Sequence, residues 1–217
     1  MIALTEVVAG PSRQTTSTRV ASVATTGVVG ALTLLFAIAH ITTWHRTGEP
    51  TGLAFAIQEL VLVAFFVTRR RPLNVSRRPA DWVAAMVGAY GVLLLRPHGH
   101  EVLGLGVLWL GVQLVAAIGV IACILRLGRS FGIVAANRGV CADGLYRFLR
   151  HPMYAFYLLG QVGYLLGALS LLNVGILVVA LGGQLVRIAA EERVLRADET
   201  YRDYCEQVPY RLIPGIY

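Results

Sequence analysis

VLGLGVLWLGVQLVAAIGVIACIL, residues 102–125, contains no charged side chain. As an α-helix rising ~1.5 Å per residue it would reach about 36 Å, enough to cross the ~30 Å hydrocarbon core of a bilayer. A helix apolar on every side offers no face to water, so this stretch predicts a membrane span. Working outward, similar runs occupy about Val20–Trp44, Gly52–Thr68, Asp81–Leu95, Pro152–Leu169 and Leu172–Arg187, with Asn173 marking the turn between the last two. Thr47-Gly48-Glu49-Pro50 reads as a turn, and residues 1–19 as a polar lead-in. The composition agrees. Of 217 residues 56% are hydrophobic and 14% charged, against nearer a quarter charged in a soluble domain.

The expected fold is therefore all-α: a polytopic integral membrane protein of about six transmembrane helices. Residues 1–125 would supply four spans, and residues 126–217 two spans plus a cytosolic loop and a C-terminal helix, in one continuous membrane domain. The charges orient it. Six spans place both termini on one face, together with Arg13, Arg19, the arginines of 69–78, the 126–150 loop and the C-terminal arginines. The opposite loops hold only Arg46 and Arg96. By the positive-inside rule the basic face is cytosolic. The net charge of +7 thus reads as membrane orientation and contact with anionic headgroups, which argues against nucleic acid. All nineteen cations are Arg, a bias pointing to a prokaryotic, inner-membrane setting. No obligate protein partner is indicated. Cys123, Cys141 and Cys205 are odd in number and lack metal-ligand spacing, so they read as free thiols, and no metal is expected.

Candidate chemistry lies on the basic face. In Arg150-His151-Pro152-Met153-Tyr154, Pro152 suits the first turn of a helix. His151 would stand at that helix's N-terminus, where free N–H groups favour an anionic ligand group, with Tyr154 one turn in. An interfacial belt of Tyr, Arg and His has the same composition. Arg187 and Glu191 share a helix face at i,i+4 spacing, as a plain salt bridge or as a functional pair near the membrane boundary. The helix is expected to run on past the membrane through Glu192, Leu195 and Tyr201. Within the second span, Gln58 and Glu59 are notable because an intramembrane carboxylate is a candidate functional group unless an Arg of a neighbouring helix pairs it. His40 reads as structural, Gln113 and Gln184 as interhelical hydrogen-bonding groups. His98 and His100 lack a third metal ligand. Leu127-Gly128-Arg129-Ser130-Phe131-Gly132 lacks the preceding strand of a nucleotide-binding loop.

The ordered set Leu127-Gly128-Arg129, Gly144-Leu145-Tyr146, Arg150-His151-Pro152-Met153-Tyr154, Glu191-Glu192, Tyr201-x-x-Tyr204 and Arg211-Leu212-Ile213-Pro214 resembles the isoprenylcysteine carboxyl methyltransferase and phospholipid methyltransferase superfamily, over about residues 126–217. The resemblance implies an enzyme that binds S-adenosyl-L-methionine at the cytosolic end of its last two spans. It implies cofactor contacts from Arg138, Val140, Cys141, Tyr146, His151, Tyr154 and Glu191. Arg187 would match a substrate-side arginine orienting an anionic acceptor. The acceptor would be a lipophilic molecule carrying a carboxylate, hydroxyl, thiol or amine. Two departures, a shortened link from Glu192 to Tyr201 and Tyr210 set between Pro209 and Arg211, imply a bacterial-type branch whose acceptor need not be a prenylcysteine. An NADPH-dependent sterol-type reductase shares a related motif, but Glu191, Glu192 and Arg187 favour the methyltransferase. A transporter or scaffold would predict repeated span patterns, which the sequence lacks.

Overall fold

The computed structural model describes residues 16–48, 50–70, 72, 74–96 and 99–216. The helices are α1 (Thr16–Thr47), α2 (Pro50–Thr68), α3 (Pro79–Tyr90), α4 (Gly106–Leu127), α5 (Pro152–Gly167), α6 (Leu171–Leu195) and α7 (Glu199–Gln207). Two short strands, β1 (Asn74–Val75) and β2 (Ala136–Asn137), pair antiparallel. The expected lead-in lies outside the described residues up to position 15. Pro79 and Pro152 open α3 and α5, where a missing N–H costs nothing. Gly48, at φ +72°, ends α1 in the left-handed conformation that glycine adopts without strain.

Of the described helices, α4 and α6 are long and apolar enough to cross a membrane by themselves, and Phe55–Phe65 and Pro79–Leu94 form shorter apolar helical segments. Large apolar side chains such as Ile38, Val67, Val115, Ile118, Val178 and Val179 face outward. A surface of that kind suits lipid and not water.

The helices pack in three close pairs, α1 with α2, α4 with α5, and α3 with α6, and α2 also lies against α4. Glycine sets two of these distances. A Cβ on Gly88 would come 2.8 Å from the Gln184 backbone nitrogen, and one on Gly183 would come 2.7 Å from that of Gly88. The backbones of α3 and α6 thus touch, as small residues permit in membrane helix pairs. Between α4 and α5, the Phe156 ring fills the space a side chain at Gly119 would need.

Several sequence expectations are revised. Helix α4 opens at Gly106, not Val102. Val102–Gly104 forms a separate 3-10 turn with Leu103 at φ 60°, and the Glu101 carboxylate accepts the Gly106 N–H. Asn173 does not make the turn between α5 and α6. It sits in the first turn of α6, whose N-cap is Ser170, and its side chain bonds both backbone groups of Arg96 and the carbonyl of Ala168. The last long helix does not continue to Tyr201. It stops at Leu195, because Asp198 caps a new helix by accepting the Thr200 N–H at 3.1 Å. Gln184 does reach across helices, donating to the Gly88 carbonyl at 3.4 Å, but Gln113 donates within its own helix to Trp109. Glu59 forms no ion pair with any described arginine. His98 lies outside the described residues, and His100 makes a backbone bridge to Leu169.

At the end of the bundle where α4, α5 and α6 carry their basic termini, four non-helical pieces are laced together. The Arg70 N–H bonds the Arg129 carbonyl at 2.6 Å, and the Ser76 N–H bonds the Ala135 carbonyl at 3.0 Å, the latter extending the β1–β2 ladder. Buried Asp81 fixes this layer to α6, since it accepts from Ser76 and, at 3.0 Å, from Arg193. The C-terminal segment closes the end. The N–H groups of Arg150 and His151 each bond at 2.9 Å to the carbonyls of Tyr210 and Arg211.

Candidate active site

The carboxylates of Glu191 and Glu192 leave α6 in different directions, as adjacent helix positions must. Glu192 is buried, at 3% exposure, and gathers four side chains. Arg150 donates to its Oε2 at 2.9 Å and Arg196 to the same oxygen at 3.1 Å. Tyr201 of α7 donates to Oε1 at 2.9 Å, and His151 Nε2 lies 3.1 Å from Oε1. A buried carboxylate is tolerated only when its lone pairs are met this fully. Arg150 reaches further, to the Pro209 carbonyl at 2.8 Å and the Cys205 sulfur at 3.2 Å.

Glu191 faces the other way, with its side chain 18% exposed. Tyr154 Oη donates to its Oε1 at 2.5 Å, and Arg187 Nε donates to the same oxygen at 3.2 Å. Its Oε2 is 3.8 Å from His151 Nδ1. Arg187 is buried at 3% exposure, donates through Nη2 to the Gly132 carbonyl at 3.0 Å, and sets its guanidinium 5.1 Å from the centre of the Tyr154 ring. That distance suits a cation–π contact. Two carboxylates, one histidine and three arginines are thus ordered around the first turn of α5 and the last turns of α6.

Beside them opens a cavity of about 90 Å³. Arg138, Val140, Cys141, Tyr146, His151, Tyr154 and Glu191 all line it. Arg187 does not line it and stands behind Tyr154 and Glu191. Phe131, Val134, Met153 and Leu195 add apolar wall.

Three polar atoms of residues in this wall are buried without a hydrogen-bond partner among the described residues, Arg138 Nε, Tyr146 Oη and Arg150 Nε, the last on a guanidinium whose other nitrogens are bonded. Arg138 is 7% exposed and lies across Gly132, where a Cβ would fall 2.3 Å from its Nη1. Burial, and next the neighbouring Arg69 charge, push its pKa down to about 10, which leaves it protonated at neutral pH. Burial likewise pushes the Tyr146 hydroxyl well above its usual range, so it remains a donor. A buried cation and a buried hydroxyl without partners are costly unless a ligand completes them.

The roof is α7. Tyr204 Oη donates to the Tyr146 carbonyl at 2.6 Å, Asn137 donates to Asp198 at 2.8 Å, and Tyr201, Tyr204 and Val208 pack on Val140, Ala142 and Leu195.

Residues 109–197 match the family model of isoprenylcysteine carboxyl methyltransferase (ICMT). The matched segment runs from within α4 to just past the end of α6. The match includes Arg138, Tyr146, the Arg150–Tyr154 motif, Arg187 and the Glu191–Glu192 pair, and it ends before α7. No curated protein matches the sequence. Among solved structures, the chain is similar to the eukaryotic intramembrane Ras methyltransferase ICMT, at 17% identity and a TM-score of 0.47, over 90% of this chain and 77% of that one.

Sequence reasoning singled out Glu191 and passed over Glu192 and Arg150 as an organising pair. A buried Arg–Glu contact spanning 42 positions leaves no periodic trace in the sequence. The available signal was the doubled carboxylate itself, since two adjacent acids on a helix cannot both face one partner.

Proposed function

We propose that the chain uses S-adenosylmethionine to methylate a lipophilic acceptor at the cytosolic face of a prokaryotic inner membrane. In this reading six helices, α1 to α6, cross the bilayer as one continuous domain with both termini in the cytosol. The observation that carries the cofactor assignment is a cavity lined by Arg138 and Tyr146, each with a buried donor that has no partner among the described residues, together with the part-exposed carboxylate of Glu191. An amino-acid zwitterion fits that set. Arg138 and Tyr146 would hold its carboxylate and Glu191 its ammonium, while Phe131, Val134 and Met153 offer an apolar wall to a purine. When bound, the cofactor supplies an electrophilic methyl group on a sulfonium.

The chain's own task is placement. Methyl transfer is an in-line displacement, and holding two reactants drawn from opposite phases removes much of its entropic barrier. Tyr154 and Glu191 fix the inner end of the cofactor space. Arg187 stands directly behind them, on the side from which an acceptor would approach through lipid. Helix α7 and the segment through Arg211 keep water out from above. Glu192 acts through Arg150, His151 and Tyr201 and is a positioning residue.

The test is binding by the purified full chain in detergent. S-adenosylmethionine and S-adenosylhomocysteine are expected to bind and to raise the unfolding temperature, with NADPH inert. Binding of NADPH alone would replace this reading with a reductase, and binding of none of the three would remove the cofactor assignment.

A further inference from the structure

The outer surface of the roof changes character between α7 and the residues that follow it. Helix α7 exposes Glu199, Thr200, Arg202, Asp203, Glu206 and Gln207, and none of these is apolar. Over 210–216 the exposed residues are Tyr210, Ile213, Pro214, Gly215 and Ile216, and none is charged. Ile216 is 79% exposed. The first surface suits water; the second loses free energy in proportion to the apolar area it shows to water.

The inner side of the same segment is fastened, so its outward side chains have a defined place. Val208 is buried against Tyr201 and Tyr204, and Leu212 against Tyr154 and Ile188. Between these two, the carbonyls of Tyr210 and Arg211 accept the N–H groups of Arg150 and His151 at 2.9 Å. Leu212 gives the depth. Tyr154 is about 3 Å into α5 from Pro152, and Ile188 is about 10 Å inside the end of α6. On the outer face of α6, exposed Val178, Val179, Leu185 and Val186 precede Ile188, whereas exposed Arg193 and Arg196 follow it. That switch from apolar to cationic side chains is where a spanning helix leaves lipid. The segment that seats Leu212 there runs beside the helix ends and not above them.

Phe148 is also exposed and stands two residues before Arg150, with exposed Arg147 next to it. Aromatic and aliphatic side chains beside arginine are the composition of an interfacial anchor. We infer that residues 210–216, with Phe148, dip into the headgroup region of the bilayer at the basic face, and that this contact holds the roof closed over the cavity. The partner is the lipid surface itself. The coupling is carried by the chain: the residues that meet lipid are continuous with the carbonyls that hold Arg150 and His151. Through Val208 they lead into α7, whose Tyr201 and Tyr204 line the cavity. Withdrawing the segment from lipid favours an open roof, and a ligand that needs the roof closed then binds less tightly. The anchor rests on the reading of α5 and α6 as membrane spans, and its effect on the ligand rests also on the cofactor reading above.

The test uses the full chain in vesicles of phosphatidylcholine and phosphatidylglycerol. An Ile216→Trp variant is compared with wild type, whose three tryptophans supply the background emission. The added emission is expected to be quenched by lipids brominated near the top of the acyl chain and to be reached only weakly by iodide. In the same vesicles the double variant Ile213→Ser/Ile216→Ser is expected to bind S-adenosylhomocysteine about tenfold more weakly than wild type, with its unfolding temperature in detergent unchanged. Free quenching by iodide without quenching by brominated lipid would overturn the anchor. So would emission shielded from both, which would place a second copy of the chain over the patch. Unchanged affinity in the double variant would overturn the coupling to the roof. Failure of wild type to bind S-adenosylhomocysteine would instead overturn the cofactor reading, and the quenching result would still decide the anchor by itself.

Discussion

Replacing Glu192 by Gln keeps the shape of the buried hub and removes its charge. The new amide can turn its oxygen towards Arg150 and Arg196 and its NH2 towards Tyr201 Oη and His151 Nε2, so the hydrogen bonds can largely be remade. What is lost is the charge opposite Arg150, whose side chain is 7% exposed. Arg196 is 52% exposed and water replaces its share, so it is not counted. Exchanging a charged for a neutral hydrogen bond costs about 1–2 kcal/mol, and leaving a buried guanidinium with less than its full counter-charge adds to this, towards a total of about 2–3 kcal/mol. Because Glu192 joins α6 to Tyr201 of α7 and, through Arg150, to Pro209, that loss falls on closure of the cap. At about 1.4 kcal/mol per tenfold it shifts the closed-to-open ratio by about 30- to 150-fold. Calorimetric titration with S-adenosylhomocysteine should show the affinity falling by up to this factor. Trypsin cleavage at exposed Arg202 should accelerate in parallel. An affinity within threefold of wild type, with unchanged cleavage, would refute the assignment of Glu192 as the residue that holds the cap.

Gly132→Ala should force the Arg138 guanidinium aside, since only a flexible tip opposes the new Cβ at 2.3 Å; cofactor affinity is expected to drop about tenfold while the unfolding temperature in detergent hardly moves. Gly88→Leu should instead drive α3 and α6 apart, because backbone stands 2.8 Å away, costing about 3 kcal/mol or more, whereas Gly91→Ala, 3.5 Å from the Ala180 side chain, should unfold at the wild-type temperature. Asp198→Ala removes both the α7 cap and the partner of Asn137, and a loss of about 1–2 kcal/mol should appear as faster hydrogen exchange confined to α7.

Much of this molecule was legible in its residues. Long apolar runs marked where helices lie, because a helix in lipid must be largely apolar, and Pro152 marked where α5 opens. The Arg187–Glu191 contact followed from i,i+4 spacing alone. Local signals were missed where they were weak: Asp198 was a readable N-cap, and overlooking it merged α6 with α7. Asn173 looked like a turn residue because asparagine favours turns, yet its side chain serves as a clasp to Arg96, 77 positions away. The two-residue β1–β2 ladder is too short to have a period. The Glu192 hub depends on partners up to 42 positions distant, and Arg138 acquires its meaning only from being left without a partner inside a cavity.

Photolabelling of the purified full chain by ultraviolet irradiation with methyl-labelled S-adenosylmethionine, followed by peptide mapping, tests the cofactor site most directly. The label is predicted in peptides from 131–154 and 187–204, competed by S-adenosylhomocysteine and lost in Gly132→Ala. Label confined to other peptides, or unaffected by S-adenosylhomocysteine, would contradict the placement of the cofactor between α5, α6 and α7.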